Sequence, residues 1–494
     1  MRRALVALFG LSASLSTEAC RDVQGSPVKW TWIGALTSSS FRLRVSTAFE
    51  DPLCDPSKVS LWLYSNDKSD SPVQVQGKRR IMSPTKSVHD FQAKDLLPGA
   101  VSYEVRYDNS IVLKRSNRSI HLPGIEGTPQ SFKFAFSSCA DEDSDPQVFK
   151  EIERHDPLFF VHMGDLHYAN IEVNDVNVFR NAYESMFESP AGQAMLAMEF
   201  PMAYMWDDHD YGPDNSDGTA PGREASLVAY REYAPHYPLA DSDPLGPIQQ
   251  AFTISRVRFL MTDLRSQRTP NTDPDVPTKT VLGAKQMKWF QEQLLAAAAP
   301  EIGLIVWVNT MPWIDDERKW GHFTHEQRAI VEFLRTNNLN SQVPIIIISG
   351  DAHMLAVDDG SFSPGNLTTF HAAALGRPGS TKGGPYSHGM FPGSGQFGVM
   401  DVHDDGEKIC LTYSGRRFGT ELLAYDTCHT VVGETYYPPP KFVRVLTRTW
   451  KKLQSRVISR WNKSQAHEIV GMALLAVLAV ALTRRWLKRH EKVE

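Results

Sequence analysis

The chain is poor in cysteine. Cys20, Cys54, Cys139, Cys410 and Cys428 are the five among 494 residues, too few to cross-link a chain of this length throughout, so its stability must come from a core. A large excess of one sign of charge is also missing. The 52 basic and 57 acidic residues leave a net charge of −5. That balance argues against a general nucleic-acid binder, which would show a strong basic face. No repeat and no long low-complexity tract is present. Long apolar runs are missing too. Ile469 to Leu482 is uncharged and rich in Leu, Ala and Val, yet shorter than the ~20 residues that comfortably span a bilayer. What remains is ordinary globular composition, 41% hydrophobic and 22% charged, which affords a sizeable core. At roughly 100–200 residues per domain, two domains or one large domain with appendages are expected.

The ends differ from the middle. Met1 to Arg3 is positive, Ala4 to Leu15 is mostly apolar, and Thr17-Glu-Ala19 offers small residues. This pattern reads as a secretory signal peptide over 1–19. At the other end, 468–487 reads as a single transmembrane helix, with Arg484, Arg485, Lys488 and Arg489 able to snorkel and Trp486 at the interface. Residues 488–494 then form a short cytoplasmic tail. In 441–465, basic residues such as Lys441, Arg444, Lys451 and Arg456 accompany Trp450, Leu453, Val457 and Trp461 at helical spacing. A juxtamembrane helix lying on anionic headgroups is expected there. The whole predicts a single-pass membrane protein of the secretory pathway whose body faces the lumen or the outside. In that setting Cys410 and Cys428 are a candidate disulfide pair. Asn117-Arg-Ser119 and Asn366-Leu-Thr368 are candidate glycosylation acceptors.

Two textures follow each other between the ends. From 28 to 122, short alternating runs are separated by turn residues, the mark of half-buried strands. Phe41 to Val45, Val59 to Leu63 and Tyr103 to Tyr107 are examples. A β-sandwich of immunoglobulin or fibronectin type is expected, and Leu97-Pro-Gly99 before Tyr103 resembles the fibronectin type III corner. Gly124 to Pro129 reads as a linker. From 131 to 430, apolar strand-like runs alternate with helical stretches, which predicts an α/β core. Ala284 to Leu295 puts Met287, Phe290 and Leu294 on one helical face. Thr324-His-Glu-Gln327 reads as a capping box opening another helix. Gly379 to Gly398, rich in Gly, Ser and Pro, reads as a loop.

The informative fact is where polar residues fall. Phe132 to Phe136 leads to Ser137, Ser138 and Cys139. Leu158 to Met163 leads to Gly164, Asp165 and Tyr168. Met202 to Trp206 leads to Asp207, Asp208, His209 and Asp210. Phe259 to Met261 leads to Asp263 and Arg265, Leu304 to Val308 to Asn309, and Ile345 to Ile348 to Gly350, Asp351 and His353. In α/β sheets ligands collect at the carboxyl ends of strands, so six such ends would surround one cleft. Singly, each signal has a bland reading. A Gly-Asp after a strand is more often a turn, and a buried Cys is more often packing. His162, inside its strand, reads as a core histidine with its hydrogen bonds satisfied, and His371 as a support for ligands rather than a ligand.

Taken in order, Ser138-Cys139, Gly164-Asp165, Trp206-Asp-Asp-His-Asp210 and Ser349-Gly-Asp-Ala-His353 resemble the signature series of the alkaline phosphatase D-like (PhoD-like) phosphatases, in the superfamily of calcineurin-like and purple acid phosphatases. Asp263-Leu-Arg265 with Arg268, and Leu282-Gly283 with Gln286 and Trp289, match its supporting segments. The resemblance covers roughly 28 to 430. It implies a four-layer αββα core holding two or more metal ions. By it, Cys139, Asp165, Tyr168, Asp208, Asp351 and His353 are metal ligands, with Asp165 bridging. Asn309 stands where the superfamily often has His and is implied as a hydrogen-bonder or weak ligand. Thiolate and phenolate together favour iron, with calcium, zinc or manganese as partner metal. The implied activity is hydrolysis of phosphate mono- or diesters, metals neutralising the anionic ester and lowering the pKa of a bound water. Asp208 and His209 are the implied catalytic residues, His209 protonating the leaving oxygen. Arg223, Arg265 and Arg268 are candidates to hold the phosphate oxygens, a structural ion pair being the open alternative for each. The competing reading is a membrane-tethered recognition protein that keeps the fold with weak catalysis.

Overall fold

The computed structural model describes residues 26–431, apart from 50, 52–53, 66–70, 109, 315–317 and the side chains of 114–118. The expected signal peptide, the basic segment 441–465, the span 468–487, the tail 488–494 and the Asn117 side chain lie outside the described residues. Among the described residues, no helix is long and apolar enough to cross a membrane.

The N-terminal strands are β1 (Val28–Gly34), β2 (Phe41–Ala48), β3 (Val59–Ser65), β4 (Val73–Val75), β5 (Lys78–Ile81), β6 (Lys86–Ala93), β7 (Gly99–Tyr107) and β8 (Ser110–Leu122). They divide into β1-β2-β6-β5 and β4-β3-β7-β8, and their inward residues, among them Leu43, Val45, Leu61 and Phe91, share one apolar cluster. The first of these sheets does not stop at β1. It continues through β11 (Met202–Met205), β10 (Phe159–Met163), β9 (Phe132–Ser137), β19 (Gln396–Asp404), β20 (Lys408–Arg417) and β21 (Thr420–Thr430) into one ten-stranded sheet. The boundary expected near 124–129 is therefore a change of texture and not a break in the sheet. The joint is a parallel contact of Gly34 with Met202. A Cβ on Gly34 would lie 2.6 and 2.7 Å from the carbonyl oxygens of Pro235 and Met202, so only glycine lets these backbones meet.

The second sheet has seven strands, in the order β12 (Gln250–Ile254), β13 (Val257–Met261), β14 (Leu304–Val308), β15 (Ile345–Ser349), β17 (Thr368–Ala372), β16 (Met354–Asp358) and β18 (Met390–Pro392). Residues of β13 to β15 alternate between two cores, as strand geometry requires. Phe259, Met261, Val306, Val308 and Ile348 join the cluster shared with the ten-stranded sheet. Leu260, Ile305, Trp307 and Ile347 join Phe290, Leu294, Ile330 and Leu334 of two helices, Gly283–Ala296 and Thr324–Thr336. Phe134 meets Phe259 edge-on at 5.4 Å across the sheet interface. Outside the larger sheet, Phe187 of helix Val176–Glu188 packs on Trp30 and Trp32, and Tyr230 of helix Arg223–Tyr233 stacks on Tyr204. The result is a mixed α/β fold in which the ten- and seven-stranded sheets pack together with helices outside, and the four-stranded sheet β4-β3-β7-β8 is the third.

Two local expectations change. Helix Thr324–Thr336 has no side-chain cap of its own. Glu326 instead accepts from Thr280 Oγ1 and the Val281 backbone, and Thr324 donates to Asp275. Tertiary partners outcompete the local box. The 379–398 loop contains the short strand β18 and the start of β19, because Met390–Pro392 completes the edge of β16.

Candidate active site

Strands β9, β10 and β11 run parallel, as do β13, β14 and β15, so each trio ends on one side. The two sets of ends meet through Ser138, whose Oγ accepts the Asp351 backbone N–H at 3.1 Å. Asp210 locks the β10 and β11 ends together. Its carboxylate accepts the backbone N–H of Asp165 and Leu166, both at 2.6 Å, of Asp207 at 3.0 Å and of His167 at 3.3 Å. Burial pushes Asp210 up to about 7 although these four donors favour its anion. Gly164 lies between the loops at φ 89°, and a Cβ there would sit 2.4 Å from Asp207 N. Cys139, Asp165 and Asp351 all have left-handed φ, 61°, 53° and 63°, a conformation costing an L-residue ~1–2 kcal/mol.

These loops gather two adjoining groups of donors. In the first, Asp165 Oδ2 lies 3.5 Å from Cys139 Sγ and 3.1 Å from the Tyr168 hydroxyl, which lies 3.4 Å from His353 Nε2. His353 Nδ1 faces the Pro378 carbonyl at 2.7 Å; donating its proton there leaves Nε2 with a free lone pair toward the cluster. The second group is Asp207, Asp208 and Asp351, with ligand oxygens within 4.8 Å of one another; Asp208 also shares such a cluster with Asp165 and His209.

One oxygen of each carboxylate in the second group is held by a cation. Arg265 donates to Asp207 Oδ1 and, at 3.2 Å, to Asp208 Oδ1. Lys319 reaches Asp351 Oδ1 at 2.7 Å and Lys382 reaches the same atom at 3.3 Å. Asp207 Oδ2 and Asp351 Oδ2 are buried with no hydrogen-bond partner among the described residues. Burial opposes the charge of Asp208, but Arg265, Lys319 and His209 outweigh it and hold the group below the usual carboxylate range. For Asp351, Lys319 and Lys382 do the same against burial. Asp165 is the reverse: burial and then the neighbouring Asp208 and Asp207 push it far up. Burial and then Asp165 likewise raise the Cys139 thiol and the Tyr168 phenol. A thiol, a phenol and a carboxyl buried together ionise only if a cation joins them. The orphaned oxygens, His353 Nε2 facing the Tyr168 hydroxyl, and this unmet demand for positive charge fit metal ions.

His209 borders both groups. Its ring lies 4.1 Å from that of Tyr168, Nδ1 is 2.6 Å from Asn170 Oδ1, and Nε2 is 3.5 Å from Asp214. Burial lowers it from the ordinary histidine value.

Several nominated residues have protein partners here. Asn309 has both polar ends committed, Nδ2 donating to the Met311 carbonyl and Oδ1 accepting from Trp320 at 3.0 Å, so it shapes its loop. Two of the three nominated arginines, Arg265 and Arg268, are buried on protein partners. Arg265 is wholly buried on the two aspartates. Arg268 is spent on Met311, Asn271 and the Arg318 carbonyl, over the face of Phe323. Arg223 donates to the Leu245 carbonyl. His162 is core but not satisfied: both ring nitrogens are buried without a partner among the described residues, as are those of His371. Cys410 and Cys428 form a disulfide across β20 and β21, and Asn366 is exposed. The residues that sequence reasoning missed are Lys319, Lys382 and Arg377, whose guanidinium lies 4.2 Å over the Tyr168 ring. The Gly-rich composition around Arg377 and Lys382 signalled a loop and nothing of its reach.

Residues 134–376 match the PhoD-like phosphatase family. Among solved structures, the chain is similar to one described as the structure of PhoD, with TM-score 0.65 and 15% identity, covering 89% of this chain and 99% of that one. It is also similar to the purple acid phosphatase PPD1 from yellow lupin (Lupinus luteus) seeds, with TM-score 0.56, 10% identity and coverage of 81% and 74%. At these identities the likeness is one of fold. No curated protein matches the chain.

Proposed function

Residues 134–376 place the chain in the PhoD-like phosphatase family, and it is a phosphoric ester hydrolase; from that premise we propose that it cleaves phosphate esters at the Cys139–Asp165–Tyr168–Asp208–His353 cluster, with Asp207 and Asp351 completing the acidic side. The observation that carries this reading is the pairing of carboxylate oxygens left without partners with a thiol, a phenol and an imidazole aimed at the same space.

Asp165, between both donor groups, is the residue suited to share its two oxygens between two cations. Cys139, Tyr168 and His353 would complete a soft, iron-favouring position. Asp208 with Asp207 and Asp351 would complete a hard, all-oxygen position suited to calcium or manganese. Bound there, the cations would neutralise the charge of the ester and acidify water. The chain's own residues do the rest. Arg265 fixes Asp207 and Asp208, leaving Asp207 Oδ2 unpartnered while Asp208 Oδ2 accepts the Asn215 backbone N–H at 2.6 Å. Pro378 sets the His353 tautomer. His209, oriented by Asn170 and flanked by Asp214, delivers the proton to the departing oxygen. The Cys410–Cys428 disulfide supports an oxidising compartment for this chemistry, and the 468–487 segment would tether it there.

The test is elemental analysis of the purified chain combined with hydrolysis of aryl phosphate mono- and diesters. About two metals per chain, and loss of both metal and turnover in Asp208→Ala and His353→Ala, are expected. A folded protein that remains inactive after loading with iron, calcium, manganese or zinc would overturn the reading.

A further inference from the structure

Of the three arginines that sequence suggests for the phosphate, Arg265 and Arg268 are buried on protein partners, so the oxygens of a substrate call for further cations. One loop supplies them. Leu375 and Gly376 donate their backbone N–H groups to the carbonyls of Ser138 and Cys139 at 2.9 and 3.0 Å, and Ser380 donates to the His353 carbonyl at 3.2 Å. Pinned this way, residues 376–384 present three groups to the cluster. Arg377 lies over Tyr168, Pro378 accepts from His353 Nδ1, and Lys382 Nζ touches the Asp351 carbonyl at 3.0 Å as well as its carboxylate at 3.3 Å.

Lys382 is only partly neutralised where it sits, and Arg377 is paired at one edge only. Asp351 Oδ1 is shared by two ammonium groups, so one carboxylate faces two positive charges. Lys319 is the inner of the two, its side chain 1% exposed, whereas that of Lys382 is 17% exposed. Arg377 pairs through one nitrogen with Asp141 at 2.9 Å, its Nε is buried without a partner among the described residues, and its side chain is 38% exposed. A guanidinium with one unused donor and an ammonium that shares its carboxylate thus flank the donors proposed to hold metal, and both side chains are partly exposed to solvent.

We infer that Arg377 and Lys382 form the phosphate-recognition side of this active site, and that they select the dianionic, terminal phosphate of a monoester over a diester. The second charge of a monoester meets the second cation. A diester carries one charge, and its extra substituent replaces one of the oxygens that would be held. The inference rests on the phosphate-ester reading above and adds the substrate class and the residues that choose it.

The experiment is titration of the full, metal-loaded chain with inorganic phosphate by calorimetry, for the wild type, Arg377→Ala, Arg377→Lys and Lys382→Met. It runs beside metal analysis and turnover of aryl phosphate mono- and diesters. Loss of one charged hydrogen-bond donor typically weakens binding roughly 10- to 100-fold. That weakening is expected for phosphate and for monoester kcat/KM in Arg377→Ala and Lys382→Met, with metal content unchanged and diester turnover lowered less than about threefold. Arg377→Lys should recover part of the loss, because the charge returns without the fork. Wild-type phosphate affinity in both deletion variants, failure of phosphate to bind the wild type, equal losses for mono- and diesters, or loss of metal from Lys382→Met would each overturn the inference. An inactive wild type that still binds phosphate through these residues would refute the hydrolytic reading and leave the recognition site standing.

Discussion

His162 offers a test of the core that can be worked out in advance. The ring belongs to the fourth residue of β10 and lies near Phe160 and Tyr204, at 5.9 and 5.7 Å. Neither nitrogen finds a partner among the described residues, and burial lowers the group to about 3. Its folded pKa is therefore depressed below the ordinary value near 6.5. Between those values the unfolded chain takes up a proton and the folded chain does not, so stability is intact above pH ~6.5 and falls as pH drops toward 3. Each pH unit in that window costs about 1.4 kcal/mol. From pH 7 to pH 5 the loss is about 2 kcal/mol. His162→Leu removes the proton site at similar volume. Its stability relative to wild type should thus rise by about 2 kcal/mol between pH 7 and pH 5, whatever its value at pH 7. Urea unfolding of both full chains with excess chelator reads this directly. The other buried histidines, His89, His167, His236 and His371, are common to both proteins and cancel in the difference. A relative stability unchanged within about 0.5 kcal/mol across the two pH values would show that His162 takes a proton in the fold, and the argument from burial would fail.

Two further outcomes follow from contacts already described. Asp210→Asn keeps one accepting oxygen and turns an amide donor toward the remaining N–H groups. Supports of this kind typically change metal affinity or activity 10- to 100-fold, so weaker metal retention is expected by competition with a chelator; wild-type retention would show that the loops hold themselves. Cys410→Ser with Cys428→Ser opens a link separated by 18 residues. Loop-closure entropy sets the loss in thermal stability at up to about 3 kcal/mol, with ester turnover unchanged because the link lies on the far strands of the sheet; a fall in turnover would contradict that separation.

Much of the site is legible in the chain because parallel strands end where ligands collect. Asp165, Asp208, Asp351 and His353 each follow an apolar run within a few residues, and that short tether leaves little freedom about where they go. The arginines were ambiguous for a physical reason. A guanidinium near carboxylates is equally suited to an ion pair and to a phosphate, and only burial separates the two uses; Arg265 and Arg268 are buried. Asn309 takes the hydrogen-bonding role, its partner Trp320 lying eleven residues on in the segment that follows β14. Lys319, Lys382 and Arg377 leave no mark in the sequence pattern. Their long side chains reach the cluster from loops whose course is set by tertiary hydrogen bonds, and no periodicity records that.

The seam at Gly34 has a consequence for how the molecule can be divided. Trp30 and Trp32 cover Phe187 and Tyr204, and Trp30 donates to the buried Glu184 at 2.9 Å. A phosphatase region cut free at the textural boundary would carry an open strand edge beside a bare aromatic face and a carboxylate stripped of a donor, a surface prone to self-association. The sandwich strands therefore serve the catalytic region as a built-in solubility partner, and the two should unfold in one transition, with neither persisting alone.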